Sequence, residues 1–160
     1  MKKRIQILVV ICSLALLIPG CVMSSGTKVY DNDELIAEDY NSYNLVQSRG
    51  WVDGNCLTGS AQTMEGMGKI WEFDAPKDMD VKIESRIKVV SGKAKLVLID
   101  PDDALTVLRE YAADPEKEQE FSDTFRVKKG NNRIKLVAGK DTQIEYEISI
   151  DQGEMSSFGG

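Results

Sequence analysis

The chain contains no histidine among its 160 residues. That absence takes away the commonest general base of enzymes and the commonest nitrogen ligand of metal ions. It weighs against catalysis, and neither a metal nor a cofactor is expected. Cysteine is nearly as scarce, with three in all. Cys12 lies within an N-terminal export segment and Cys21 directly follows it as a modified residue, so Cys56 has no intramolecular partner and no disulfide framework can form. Clustered positive charge is missing as well, since the formal net charge is −6. Such acidity excludes nucleic acid as a natural partner and argues against electrostatic adhesion to anionic lipid, because both need grouped cations. A membrane-spanning run is absent too. The longest apolar stretch, residues 5–18, falls short of the roughly 20 residues a spanning helix needs.

What is present begins with that stretch. Lys2, Lys3 and Arg4 form a positive start, residues 5–18 are apolar but for Gln6, Cys12 and Ser13, and Pro19-Gly20 breaks the helix just before Cys21. This order is that of an export signal. Ile18-Pro19-Gly20-Cys21 resembles the lipobox of bacterial lipoproteins, in which the cysteine is diacylated and the signal is cut in front of it. The resemblance implies a signal peptide over 1–20 and lipidation at Cys21. Pro19 stands where Ala or Ser is usual. An uncleaved anchor or an ordinary secretory signal are the alternatives, and either leaves the remainder outside the membrane. Losing Lys2, Lys3 and Arg4 with the signal would take the net charge from −6 to −9.

The remainder suits one domain with a normal core. Residues 21–43 read as a lipid anchor and flexible tether, starting with Ser24-Ser25-Gly26-Thr27 and running through the acidic stretch Asp31 to Asp39, with room for a short helix over Asp33–Tyr40. Residues 44–151 read as the domain and 152–160 as a polar, fraying tail. Within the domain Val81, Ile83, Ser85, Ile87 and Val89 alternate with Lys82, Glu84, Arg86 and Lys88, a period of two that only a strand can use. Ala94, Leu96 and Leu98 continue on one face with Val97 and Ile99 on the other, the mark of a strand that is central or covered. Asp100-Pro101-Asp102-Asp103 makes a turn, and Leu105, Val107 and Leu108 begin the return. Phe121, Phe125 and Val127 lead to the turn Lys128–Asn132; Ile134, Leu136 and Val137 follow, then Ile144, Tyr146, Ile148 and Ile150. Lys69–Phe73 is an earlier strand ending at Ala75-Pro76. Seven or eight short strands with polar turns predict an all-β antiparallel sandwich, jelly-roll-like in character.

The run Val81 to Pro101, with its Ser91-Gly92-Lys93 turn and Leu96-Val97-Leu98-Ile99-Asp100-Pro101-Asp102, resembles small surface lipoproteins of Gram-positive-type bacteria, as does Lys128 to Val137. The resemblance covers residues 66–151 and implies one sandwich behind a lipid anchor, with no catalytic residues to carry over. The usual Asp-Pro-Asp-Gly turn is Asp-Pro-Asp-Asp here.

The candidates for chemistry each have a plainer reading. Cys56 lacks a histidine base and reads as an inert strand thiol, or as half of an intermolecular disulfide. Asp74, Asp78 and Asp80, and again Asp100, Asp102 and Asp103, read as solvated turn carboxylates before calcium ligands or a catalytic pair. Trp71 and Phe73 share a strand face and read as core, with Tyr146, Ile148 and Ile150 as partners. Trp51, with Tyr40 and Tyr43, is the best exposed-aromatic candidate. Lys82, Lys88, Lys93, Lys95, Lys128, Lys129, Arg133 and Lys135 read as solvated gatekeepers against edge pairing.

The reading is a lipid-anchored, extracytoplasmic, non-catalytic module held to the cell membrane through Cys21, with a protein or a wall polysaccharide as ligand. The competing reading is a carboxylate-dependent envelope glycan hydrolase, which would need acidic residues converging in a cleft with a raised pKa. A two-lobed solute receptor needs more chain than this.

Overall fold

The computed structural model describes residues 29–157; the signal and Cys21 lie outside them. A five-residue helix α1 (Asp33–Ala37) precedes eight strands: β1 (Ser42–Asp53), β2 (Cys56–Ala75), β3 (Met79–Ser91), β4 (Lys93–Ile99), β5 (Leu105–Ala112), β6 (Gln119–Val127), β7 (Gly130–Ile150) and β8 (Glu154–Met155). Every pairing is antiparallel. The chain is an all-β sandwich, as the period of two predicts.

Two strands run through both layers. The first half of β2 (from Cys56) pairs with the second half of β7, and Gly66–Ala75 of β2 pairs with Gly130–Ala138 of β7. The first layer is therefore β1–β2–β7–β3–β6, and the second is β8–β2–β7–β4–β5. The bend lies where the β2–β7 register shifts, between Ala61 and Gly66. Gly66 has φ +109°, and a Cβ there would stand 2.0 Å from the Ser42 carbonyl oxygen, so only glycine fits. On β7 the corner carries Gly139 and Asp141, the latter left-handed at φ +54°. The sequence reading split β7 in two at this point; it is one bent strand.

The core lies between the layers. Leu57, Ile83, Ile87, Ile144, Ile148 and Ile150 of the first layer meet Trp71, Leu96, Leu98, Ile134 and Leu136 of the second. Ser85 Oγ and Tyr111 Oη, one from each layer, share a buried hydrogen bond of 2.8 Å, so neither hydroxyl is stranded. Trp71 is fully buried, its ring edge-on to Phe125 at 5.8 Å and tilted to Phe73 at 5.9 Å.

The two terminal segments differ from expectation. The stretch read as a tether over 21–43 is seated on the second layer from Val29 onward. Val29, Tyr30 and Ile36 are buried against Met67, Val97, Ile99 and Val137, the apolar outer face of that layer. The cause is visible in β4, whose two-sided apolar pattern leaves a face that water would otherwise wet. The tail read as fraying also holds its place through Ser156. Met155 and Glu154 pair with Trp71 and Glu72, the Trp71 indole N–H donates to the Gln152 carbonyl at 2.6 Å, and Ser156 N donates to the Ile70 carbonyl at 2.8 Å.

Candidate functional site

The sheet register places residues of distant sequence side by side on the solvent face of the first layer. Trp51 pairs with Thr58, Thr58 with Glu147, Glu147 with Arg86, and Arg86 with Glu120. Directly paired residues share a face. The neighbouring row, Val52–Leu57–Ile148–Ser85–Phe121, holds buried Leu57, Ile148 and Ser85, so the Trp51 row points away from the core. Parallel outward rows flank it. Arg49, Ser60, Glu145 and Lys88 form one, and Asp53, Cys56, Ser149, Glu84 and Ser122 form the other.

This face has an aromatic end and a polar floor. Trp51 is 55 % exposed, the most exposed large apolar side chain of the described residues. Away from it, Glu84, Arg86, Glu120, Ser122, Glu147 and Ser149 line an open hollow of about 310 Å³. Arg86 sits between Glu120 and Glu147, at 3.9 and 3.8 Å from their carboxylates. Glu84 accepts from Lys82 at 2.6 Å, and this hydrogen bond, with the ammonium charge, holds its carboxyl below the usual range. A glycosidase acid needs the opposite, a carboxyl kept protonated by an apolar setting. The face can offer a stacking ring and fixed hydrogen-bonding groups; Glu84 is set wrongly to donate a proton.

The other sequence candidates fall elsewhere. Cys56 is half-buried on β2, its thiol 3.9 Å from Thr58 Oγ1. Five of the six turn carboxylates are held by neighbouring amides or cations. Asp100 accepts from the amides of Asp102 and Ala104, Lys128 bridges Asp100 and Asp102 at 2.6 and 2.7 Å, and Arg133 holds Asp103 at 2.7 Å. Asp78 accepts from Lys129 N, and Asp80 pairs with Arg126. Among the described residues no group of three or more candidate ligands stands close enough to hold a metal ion. Tyr40 and Tyr43 are exposed at 42 % and 41 %.

The gatekeeper reading of the lysines needs correction at three positions. Lys95, Arg133 and Lys135 are buried, because the segment 29–41 lies over them. Lys135 Nζ donates to the carbonyls of Glu38 and Tyr40, and Arg133 Nη2 to that of Ala37. The acidic side chains of the segment face the same strip: Asp31 pairs with Lys93 (3.5 Å), Asp33 with Lys95 (3.8 Å) and Asp39 with Lys69 (3.7 Å). Sequence reasoning noticed Arg86, Glu84 and Glu147 only as the polar half of alternating strands. Their grouping depends on pairings between β3, β6 and β7 that no local signal announces.

No family model matches the chain, and no curated protein matches it significantly. Solved structures with similar chains include a carbohydrate-binding module from Cellvibrio mixtus lichenase 5A in complex with cellotriose, at 16 % identity and a TM-score of 0.42, covering 74 % of this chain and 95 % of that one. A family 35 carbohydrate-binding module from Clostridium thermocellum aligns at 11 % identity and a TM-score of 0.39, covering 70 % and 99 %. The pre-peptidase C-terminal domain of a collagenase from Bacillus anthracis aligns at 13 % identity and a TM-score of 0.39, covering 69 % and 89 %.

Proposed function

We propose that this chain is a lipid-anchored, extracytoplasmic, non-catalytic module whose first layer takes a wall polysaccharide along its outer face. The observation that carries the reading is the row Trp51–Thr58–Glu147–Arg86–Glu120, an exposed indole continuing into ordered polar groups on a rigid sheet. A sugar ring has apolar faces of C–H groups and a rim of hydroxyls. Indole stacks on the first, and planar carboxylate and guanidinium groups bond the second. Sites on strands keep such groups in fixed relation, which lowers the ordering cost of binding.

Isothermal titration of the protein with solubilised wall polysaccharide fractions tests the reading. Binding is expected with at least one fraction, and Trp51→Ala should weaken it about tenfold or more, the loss of one aromatic anchor, while the melting temperature stays put. No binding to any fraction, or equal binding by Trp51→Ala, would overturn it.

The location rests on the ordered signal and on Ile18-Pro19-Gly20-Cys21. Mass spectrometry of the membrane fraction should find an acylated N-terminal Cys21. A Cys21→Ala form that remains just as membrane-bound after the signal has been cleaved would refute the anchor.

A further inference from the structure

β1 is an edge strand of unusual character. It lies at the end of the first layer and, among the described residues, pairs only with β2. Six large apolar side chains are exposed in the described chain, and five of them, Tyr40, Tyr43, Val46, Trp51 and Val52, fall on or just before this strand. Edges that must stay single are normally blunted with lysine, proline or dense charge. The opposite edge, β6, carries Glu120, Asp123 and Arg126. β1 has no lysine and no proline, and its only charges are Arg49 and Asp53. Neither of these is in an ion pair among the described residues, although both lie on the same outward row side as Trp51.

We infer that β1 pairs with β1 of a second copy of this chain, antiparallel, about a two-fold axis at Trp51. The phase of the backbone allows this register. Asp53 and Cys56 close a two-residue turn, Gly54-Asn55, and the residues flanking such a turn bond each other. Alternation then directs the amides and carbonyls of Asp53 and Trp51 toward β2 and those of Val52 and Gly50 toward the open side. In the proposed pairing Val52 of each copy exchanges hydrogen bonds with Gly50 of the other. Trp51 meets its own counterpart as a non-hydrogen-bonded pair, where side chains come closest. Arg49 falls opposite Asp53 of the other copy, twice, all on the outward face. One step C-terminal is the turn, and Gln47, left-handed at φ +48°, breaks the flat edge on the other side. The self-complementary segment is thus Arg49–Asp53, and its two charges meet only when Trp51 lies on the axis.

The contact joins the two outer faces edge to edge and needs no glycan, so it stands or falls separately from the polysaccharide reading. Sedimentation velocity of the full chain in density-matched detergent, without any sugar, tests it. The native chain is expected to show a reversible monomer–dimer equilibrium. Arg49→Asp alone and Asp53→Arg alone each set like charges opposite one another twice, and each should raise the dimer dissociation constant about tenfold or more. The double variant Arg49→Asp/Asp53→Arg restores both pairs and should dimerise again. Circular dichroism checks each fold, and Arg49→Gln and Asp53→Asn replace a reversal that loses it. A native chain that stays monomeric at every concentration overturns the proposal. So do single reversals that leave the dimer intact, or a double variant that stays dissociated.

Discussion

Lys135 shows how a residue's role can be invisible locally. In Arg133-Ile134-Lys135-Leu136-Val137 it takes the polar place of an alternating strand, as gatekeepers do. Yet it has no exposed surface, because residues almost a hundred positions earlier fold over it. There it donates to the carbonyls of Glu38 and Tyr40, and Arg133 donates to Ala37, so the sheet supplies partners for carbonyls left open at the end of α1. Burial, and next the charge of Arg133, bring the Lys135 pKa down to about 8; Lys69 acts with them and Asp39 and Glu38 against them. The sign follows directly. Between that value and the unfolded value of about 10.4 the unfolded chain binds the extra proton, so this residue makes stability rise with pH across that window. Tyr146, pushed up to about 12 by burial, acts oppositely above about pH 10, where its unfolded form begins to ionise. Denaturant titrations between about pH 7.5 and 10 should therefore give a more positive slope of stability against pH for the native chain than for Lys135→Met. Equal slopes would refute the buried-cation account.

At the scale of elements, the segment 29–41 is the clearest gain over the sequence. β4 announced that both of its faces were covered, but nothing in it said by what. Residues 29–41 read as solvated spacer because the apolar residues that anchor them, Val29, Tyr30 and Ile36, are too few to show a period. Its hold comes from those few. Ion pairs such as Asp31–Lys93 lie at the surface and contribute at most about 1 kcal/mol each, whereas a fully buried aliphatic side chain contributes about 1.5–3 kcal/mol. Ile36→Ala should therefore release the segment where loss of Asp31 would not. Hydrogen exchange is expected to quicken over residues 29–41, with β3 unchanged. Uniform protection in both variants would mean the segment is held some other way. β1 and the first half of β2 were also missed, for related reasons. β1 carries a left-handed Gln47 at its middle, and its burial pattern never settles into a period of two. Gly59 is small because the Tyr146 ring fills its place, a Cβ there standing 2.4 Å from the ring. Such a glycine reads as a loop until its partner is known.

At the scale of the molecule, β2 and β7 thread both layers, so damage in one layer is felt in the other. β3 was legible from its period of two and β4 from an apolar run on both faces between turns; the bend that joins the layers was not, since Gly66 and Asp141 look like ordinary turn residues. The two tryptophans sit at opposite ends of this design. Trp71 fills the interior of the second layer, touches Phe125 of β6 across the sandwich, and is capped by Gly153, where a Cβ would stand 2.5 Å from the indole nitrogen. Trp51 lies at the far edge of the first layer with most of its ring in water. Trp71→Ala leaves a cavity and strands the Gln152 carbonyl, a change that costs about 3–5 kcal/mol against a total of about 5–15 kcal/mol. Because the long strands couple the layers, the melt should move down as one transition rather than split in two. Below that lowered midpoint the outer face is intact, and polysaccharide binding should persist. Trp51→Ala is expected to do the reverse, holding the midpoint at concentrations where the chain is monomeric and losing the ligand. Calorimetry and titration of both variants decide the matter: an unchanged midpoint for Trp71→Ala would move that residue out of the core, and a split transition would mean that the layers fold as separate units.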